Sequence, residues 1–445
     1  MNVEDFGCRQ AVTALILGVI SSKGATGLLG VLPKAAQLLL PVATRRGGCP
    51  SDQVYHRVPC PWYCVRLLRI LKHFPCPTDS TIQSQIRTSL NSILTSTKLL
   101  SNVNHNNAEH CVLFEAINVI IRWGEKGDKV LRDQAALHLA RFVNIREPNI
   151  RYLGLEAMTR LSKLSGTRSV IRKQQKAVFI SLKEADISLR RRALDLLFAM
   201  CDRDNAVSLV AQLLKYLAVA EESIKAEMVL KLAILSERYA PDMRWYVDTI
   251  LSLIAHAGDY VSDEIWHRAV QIITNRKELQ RYAAHKMLRA VESTAAHEIV
   301  VKVGGYILGE FGYILAEEPT VEDIEEEDKA RELAEERRRA SEKSSAKSKS
   351  SESKEGDDES KAKQLLTQEE EEAKDDDEPL EPSTIVIDAV TQFSALHRHF
   401  ERQSSATKAL LLTAYAKFYN VFPGLRPAVE QVFKENSDGL DAELQ

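Results

Sequence analysis

Apolar residues recur at intervals of three and four positions along most of the chain up to about residue 316. This spacing is the period of an amphipathic α-helix, whereas a half-buried β-strand would alternate at every second residue. The pattern therefore predicts a succession of helices, each with one buried face. Short connections separate most of them, which indicates antiparallel neighbours. We predict helices over 61–73, 108–123, 129–143, 149–164, 188–201, 223–239, 243–256, 262–275, 279–291 and 298–315.

The helical pattern also repeats at a longer period. Equivalent aliphatic positions lie 38, 39, 35 and 37 residues apart, at Val112, Ile150, Leu189, Ile224 and Val261. Periods of ~40 residues are typical of HEAT and armadillo repeats, in which pairs of antiparallel helices stack on one another. The predicted fold class is therefore all-α, a right-handed superhelical solenoid of HEAT/armadillo-like helix pairs, interrupted by a disordered charged linker.

A basic residue follows the repeated aliphatic position in three of these segments, at Arg151, Arg190 and Lys225. In repeats of this kind, a basic residue at the start of the second helix stabilises the stack through a neighbouring acid. A ligand-binding role is the alternative, and the structural role is the interpretation that we favour. Turn signals precede several repeat helices, at 147–149, 184–186 and 257–259.

The composition divides the chain into a helical body over 1–316, an acidic, Ser/Lys-rich linker over 317–382 and further helices over 383–445. The linker holds 26 acidic and 12 basic residues and no aromatic residue among its 66 positions. It cannot bury enough apolar surface to offset the entropy of ordering, so we expect disorder, apart from a solvated single helix over 321–339. Within it, the sequence Arg338-Arg339-Ala340-Ser341 resembles a basophilic kinase site.

Charge is distributed unevenly along the chain. The whole sequence has a net charge of −3, but without the linker it keeps 47 basic and 36 acidic residues, a net charge of +11. Such a body is attracted to anionic surfaces, unless the linker neutralises it. Two basic clusters, Arg172–Lys176 and Arg190–Arg192, indicate either contact with phosphoinositide or an acidic protein, or a solvated face. They lack the interleaved aromatic residues that favour nucleic acid.

Candidate chemistry is sparse. The seven cysteines are odd in number, and several lie in apolar helical patterns, which favours reduced, buried thiols in the cytosol. Cys60 and Cys64 have a spacing that zinc permits, but Cys49 and Cys76 form no second close pair. No secretory signal is expected, because Glu4 and Asp5 lie where a basic region would, and the apolar stretch 11–20 is shorter than the ~20 residues of a membrane span.

Motifs of enzymes are not found either. The Gly24–Gly30 stretch lacks the preceding strand and the spacing of a phosphate-binding loop. His105 and His110 are five residues apart, off a common helical face, and G-x-S-x-G does not occur. We read Glu115, Glu156 and Asp195 as solvated or stack-bridging acids. The sequence thus predicts a scaffold that is not an enzyme, with no catalytic, cofactor-binding or metal-binding residues and no cofactor.

Several collinear blocks resemble the adaptin family, and within it the alpha subunit (alpha-adaptin) of the clathrin-associated adaptor protein complex 2, over the trunk region only. They extend from about residue 50 to 435, apart from the linker, and the block at 301–312 favours alpha over gamma and beta relatives. The blocks are Pro61–Leu71, Val112–Ile117, Asn149–Leu153, Arg192–Arg203, Trp245–Leu251, Ala257–Ser262, Val301–Gly312, Thr407–Leu412 and Lys417–Phe418.

The resemblance implies a large-subunit scaffold that assembles with beta-type, medium and small adaptor subunits, and indirectly with the clathrin coat, for cargo selection and endocytosis. It further implies a cytoplasmic protein, peripheral on plasma-membrane coated pits, and no nucleic-acid partner. The family's phosphoinositide-binding lysines and its share of the dileucine pocket lie in earlier repeats, so no residue here is assigned to them. The acidic linker replaces a short family connection. The alternative is another HEAT-repeat transport scaffold, such as a different adaptin, a coatomer-like subunit or a nuclear transport receptor.

Overall fold

The structure, a computed structural model, describes residues 5–96, 102–164, 166–293, 296–336 except 322, 326, 330 and 334, and 384–437. Within these ranges nearly all regular structure is helical, which confirms the predicted fold class. The right-handed sense of a superhelix stays a prediction. The helices are α1 (Phe6–Lys23), α2 (Val31–Ala43), α3 (Pro61–His73), α4 (Ser80–Ser96), α5 (Val103–Trp123), α6 (Lys129–Phe142), α7 (Pro148–Leu161), α8 (Arg168–Arg172), α9 (Gln175–Ser181), α10 (Ile187–Met200), α11 (Ala206–Val219), α12 (Glu222–Tyr239), α13 (Met243–Ala257), α14 (Asp263–Thr274), α15 (Lys277–Glu292), α16 (Glu298–Ala316), α17 (Ala389–His397), α18 (Ser405–Val421) and α19 (Arg426–Ser437).

Side chains that cap helix N-termini explain many of the observed boundaries. Asp128, Asp186 and Asp242 each precede a helix and accept a hydrogen bond from a backbone N–H of its first turn, at 2.8 Å in all three cases. Such caps satisfy backbone donors that a helix start leaves free. Pro148 occupies the first position of α7, where its missing N–H costs nothing. The predicted turn signal at 184–186 is confirmed, whereas of 147–149 only Glu147 precedes α7, which already includes Pro148 and Asn149.

The first of two compact units spans Met1–Asp202. In it α3 packs on α5, α2 packs on α3 and α4, and α7 packs on α6 and α10. The repeat positions Ile150 and Leu189 are buried between these helices, as are the apolar residues that follow Leu189 at helical spacing. The predicted inward face of α10 is therefore confirmed.

The second unit spans Arg203–Gln445. Helices α11, α12 and α13 pack in sequence, α15 packs on α16, and α16 also contacts α17 and α18. Among the described residues, α16 is the one helix that is long and apolar enough to cross a membrane by length and composition. More than half of its apolar window is buried against its neighbours, as in the core helix of a helical repeat.

A short β-hairpin differs from the all-helical expectation. Strands β1 (Val54–Tyr55) and β2 (Val58–Pro59) pair antiparallel, with Val54 opposite Pro59. The hairpin turns the chain back so that Cys49 and Cys60 form a disulfide with their Cα atoms 5.9 Å apart. The prediction of reduced, buried cysteines is therefore wrong for this pair. It holds for Cys64 and Cys201, whereas Cys8 and Cys111 are exposed.

The predicted linker is described only in part. The described residues between 321 and 336 are helical, in agreement with the helix predicted over 321–339. Residues 337–382 lie outside the described part of the chain, as does Ser341 of the basophilic motif. The predicted domain boundaries at 316 and 383 therefore stay predictions.

Candidate interaction surfaces

Polar contacts connect neighbouring repeats at the positions that the sequence singled out. Arg151 forms an ion pair with Glu184, and both side chains are less than one third exposed. Arg190 is buried and donates to the backbone carbonyl of Ala185 at 3.4 Å. Lys225 contacts an aromatic face, with its Nζ 5.5 Å from the ring centre of Tyr260. The predicted Arg-acid pairing is confirmed for Arg151.

Further polar pairs follow the same long spacing in sequence. Each joins two residues 30 to 46 positions apart, close to one repeat, so that each ties a helix to the equivalent region of the next repeat. We call this set the repeat ladder. It consists of Arg69–Glu115, Arg160–Asn118, Arg172–Asp202, Arg192–Tyr152, Arg268–Glu237, Tyr282–Asp248 and Lys302–Asp263.

The two basic clusters are partly absorbed by this ladder. Arg172 pairs with Asp202. Arg192 donates to the hydroxyl of Tyr152 at 2.7 Å, and its guanidinium lies 5.0 Å from that ring centre. Lys173, Lys176 and Arg191 are exposed. The solvated-face interpretation and the anionic-contact interpretation therefore both stay open for the exposed members.

A second surface of the structure lies on α16, where glycines allow α18 to approach closely. A Cβ atom added to Gly305 would lie 2.7 Å from Cδ2 of Leu411. A Cβ atom added to Gly309 would lie 2.8 Å from the Cβ of Ala414 and 3.2 Å from its Cα. At Gly309 the opposing alanine has no side-chain rotamer to change, so only glycine permits this approach. We call the glycines of α16 the glycine face. It forms the docking surface for the helices that follow the linker.

Polar contacts fix the register of this docking surface. Glu298, at the start of α16, accepts hydrogen bonds from the hydroxyls of Ser404 and Thr407, and these bonds lower the pKa of its carboxyl. Gln392 donates to the carbonyl of Gly312 at 3.0 Å. At the other end, the N–H of Ile387 donates to the carbonyl of Leu315 at 2.8 Å. No sequence pattern indicates these pairs, because they join residues about 70 to 110 positions apart.

Burial shifts the pKa values of several titratable groups in the core. Burial raises the pKa of the Cys64 thiol to about 12 and lowers the pKa of His110, which packs on Phe142. Nδ1 of His105 lies 2.7 Å from the carbonyl oxygen of His56, so His105 and His110 make separate local contacts. Within the described ranges, no group of three or more His, Cys, Asp or Glu side chains could hold a metal ion.

A cavity of about 430 Å³ between α18 and α19 is lined by Tyr419 and Phe433, among others.

The structure shows ion pairs for two of the three acids that we interpreted as solvated or stack-bridging, Glu115 and Asp195. Glu115 pairs with Arg69 at 2.8 Å and with Lys72 at 3.5 Å, so it bridges α5 and α3. Asp195 pairs with Arg192 within the same helix at 3.4 Å. The bridging interpretation is therefore confirmed for Glu115.

Paired helices, buried aliphatic residues spaced one repeat apart and a polar ladder of the same period together define a helical-repeat protein. More specifically, the chain belongs to the adaptin family, because the family model described as "Adaptin N terminal region" matches residues 5–445. The resemblance noted in the sequence blocks is thereby confirmed.

Alpha subunits of the AP-2 complex match most or all of this chain. The chain is 38% identical to the AP-2 complex subunit alpha-2 of Dictyostelium discoideum, over 100% of this chain and 38% of the relative. It is 43% identical to the AP-2 complex subunit alpha-1 of Arabidopsis thaliana, over 72% of this chain and 31% of the relative. The match to the AP-1 complex subunit gamma-2 of the same plant is lower, 29% over 50% of this chain. The chain thus corresponds to an alpha-adaptin trunk and spans about a third of these relatives.

A structural comparison agrees on the fold. A structure described as a homology model of the full-length AP-3 complex in an intermediate open conformation matches all of this chain and 68% of that chain, with a TM-score of 0.52. The sequence identity is 13%, so this likeness concerns the helical-repeat fold alone.

Proposed function

We propose that this chain is a large-subunit scaffold of a clathrin adaptor complex, which assembles with beta-type, medium and small adaptor subunits for cargo selection and clathrin-mediated endocytosis. The observation that carries the proposal is the match to an AP-2 alpha subunit over 100% of this chain. The alternatives of another adaptin, a coatomer-like subunit or a nuclear transport receptor share the helical repeat, but the AP-1 gamma relative matches only half of the chain.

The geometry supports a scaffold role rather than catalysis. Within each unit, buried aliphatic residues and the repeat ladder hold neighbouring repeats together, and repeats of this kind present long side surfaces to partners. We infer from this scaffold geometry a chain that is not an enzyme and needs no cofactor.

The proposed place of action is the cytoplasmic face of the plasma membrane, peripheral on clathrin-coated pits, with the clathrin coat contacted indirectly. The positive charge of the body outside the linker supports attraction to a phosphoinositide-containing surface. Lys173, Lys176 and Arg191 are exposed on one stretch of the first unit and are candidates for an additional anionic contact.

Affinity purification of the tagged chain from its own cells, followed by mass spectrometry, tests the proposal. We expect recovery of medium, small and beta-type adaptor chains in comparable amounts. Leu196→Asp provides the control, because a charge at a fully buried position of α10 disrupts the repeat and separates fold-dependent partners from adherent proteins. Recovery of a small GTPase with nuclear pore proteins, or of coatomer subunits, in place of adaptor chains would contradict the proposal.

A further inference from the structure

The acidic segment that follows α16 begins with a defined helix start. The backbone N–H of Thr320 donates to the carboxylate of Asp323 at 2.9 Å, and the N–H of Asp323 donates to the hydroxyl of Thr320 at 3.2 Å. This reciprocal pair is a capping box, which sets the first turn of a helix. Four residues after Asp323, one helical turn further on the same face, lies Glu327. We call these two carboxylates the acidic latch.

Two arginines of the preceding repeats hold the latch. Arg244, in the first turn of α13, pairs with Glu327 at 2.6 Å, and both side chains are at most one fifth exposed. Arg281, on α15, is 5% exposed and lies 3.9 Å from the carboxylate of Asp323. The same guanidinium donates to the backbone carbonyls of Ile314 at 2.8 Å and Glu317 at 3.1 Å, so it also closes the end of α16.

An aromatic ring and a further cation complete this surface. The guanidinium of Arg244 lies 4.8 Å from the ring centre of Tyr282, and Lys286 lies 5.6 Å from the same centre. Tyr282 is itself fixed by a hydrogen bond of 2.6 Å to Asp248. Packing on a ring reduces the freedom of the Arg244 side chain, which orders its guanidinium before a carboxylate arrives. We call Arg244, Arg281, Tyr282 and Lys286 the basic seat.

Charge rather than apolar burial holds the latch in the basic seat. Along the helical residues that carry the latch, Val321 is 73% exposed, and Ile324 and Leu333 are each 45% exposed. A helix that buries so little apolar surface gains little from the hydrophobic effect. Contacts of this kind weaken as salt is added, and another anion of matching geometry displaces them.

We propose that the basic seat is a binding site for an acidic helical segment of a partner protein, and that the acidic latch occupies the site in cis until it is displaced. The partner's essential feature is a pair of carboxylates four residues apart on one helical face, which is the spacing that Asp323 and Glu327 present. Arginine suits this role because its planar guanidinium donates directional hydrogen bonds to the two oxygens of a carboxylate. With the latch in place, the side chains of Arg244 and Arg281 are at most 16% exposed, so a partner segment reaches them only after the latch has left. This proposal is independent of the adaptor function proposed above.

A peptide-binding experiment on the full chain tests the inference. The probe is a fluorescein-labelled synthetic peptide with the sequence of residues 317–336, and its binding is followed by fluorescence anisotropy. We expect Asp323→Asn combined with Glu327→Gln to empty the seat, so that the peptide binds at least tenfold more tightly than it binds the unaltered chain. Adding Arg244→Gln to that double variant should weaken binding at least tenfold.

Matched controls separate the site from general charge attraction. Arg268→Gln removes an arginine of the neighbouring α14 that pairs with Glu237 and is half exposed, and it should leave peptide binding unchanged. A peptide of the same composition with its acids shifted off the four-residue spacing should bind at least tenfold more weakly. Equal peptide affinity for the unaltered and double-variant chains, or no effect of Arg244→Gln, would overturn the proposal. So would a double variant that binds phosphatidylserine vesicles but not the peptide, since the seat would then face a membrane.

Discussion

The glycine face of α16 leads to a prediction about a single methyl group. Gly309 lies opposite Ala414 of α18, and a Cβ atom at Gly309 would come within 2.8 Å of the Cβ of Ala414 and 3.2 Å of its Cα. Two of the opposing atoms belong to a residue that has no flexible side chain, so the new methyl group cannot be accommodated by a change of rotamer. Gly309→Ala must therefore push α18 away from α16.

Two opposing effects determine the magnitude. Alanine favours a helix interior over glycine by about 1 kcal/mol. Overfilling a packed contact costs about 1–3 kcal/mol. We expect a net loss of about 1 kcal/mol of unfolding free energy, which lowers Tm by roughly 2–4 °C for a unit of this size. Gly18→Ala is the matched control, because Gly18 lies in α1, is exposed and would have no atom within 4 Å of its added Cβ.

Thermal unfolding and amide hydrogen exchange measure the two variants together. Gly18→Ala should gain up to about 1 kcal/mol, so the two identical substitutions should differ in sign. In Gly309→Ala, exchange should be faster over 405–421 than in the unaltered chain, because the docked helix opens more often. A Gly309→Ala chain that is stabilised as much as Gly18→Ala, with unchanged exchange over 405–421, would show that α18 does not pack on the glycine face.

Further predictions concern the repeat ladder, the docking contacts and the core. Arg151→Ala should destabilise the first unit by about 1–3 kcal/mol in chemical unfolding, because it leaves the partly buried carboxylate of Glu184 without its cation. Hydrogen bonds from Ser404 and a neighbouring threonine lower the folded-state pKa of Glu298, so their contribution to stability is present above its unfolded pKa of about 4.3 and is lost as pH falls through the lower folded value. Glu298→Gln should flatten the pH dependence of the docked C-terminal helices below about pH 4.5, measured by hydrogen exchange. Leu196→Asp should cost more than about 4 kcal/mol and abolish cooperative melting, and a soluble, cooperatively folded variant would contradict the predicted inward face of α10.

Helices with strong periodicity and polar boundary residues were predictable from the sequence. The bounds of α3 agree at both ends, since Pro61 starts the helix and an extended residue, Phe74, ends it. Helices with weaker patterns were not assigned. The serine- and threonine-rich α4 offers competing turn signals, and α11 is apolar over much of its surface, which obscures a periodic face.

The hairpin and its disulfide could not be predicted from the sequence either, but the reason is different. A two-residue hairpin turn needs positive φ at both central positions, which Asn-Gly or Gly-Gly usually signals. Here His56 and Arg57 adopt φ of 44° and 68° without either signal. Since no turn signal is present, nothing in the sequence places Cys49 beside Cys60, and the reduced-thiol interpretation rested on the odd number of cysteines and on their helical neighbours.

The glycines of α16 can be recognised in the sequence as part of a family block, but their packing role cannot be inferred from it. Gly304, Gly305, Gly309 and Gly312 contributed to the adaptin resemblance, yet by propensity each weakens a helix. Gly304 lies against Val291 of α15, whereas the other three glycines allow the approach of helices that follow the linker, which is a contact between distant parts of the chain. The candidate surface on α16 therefore required the structure, whereas the Arg151 pair could be inferred from the repeat.

Docking on α16 also explains how the trunk tolerates a long charged connection where the family resemblance implies a short one. The entropic cost of closing a loop rises only as the logarithm of its length, so a tenfold longer connection costs only roughly 2 kcal/mol more. Beyond the connection, Leu396, Phe400, Leu411, Tyr415 and Phe418 are each at most 2% exposed. Burial of each such side chain contributes about 1.5–3 kcal/mol before ordering costs. The docking contacts outweigh the added loop cost, so the trunk's stability depends on the faces of α16 and α18 and only weakly on the length of chain between them.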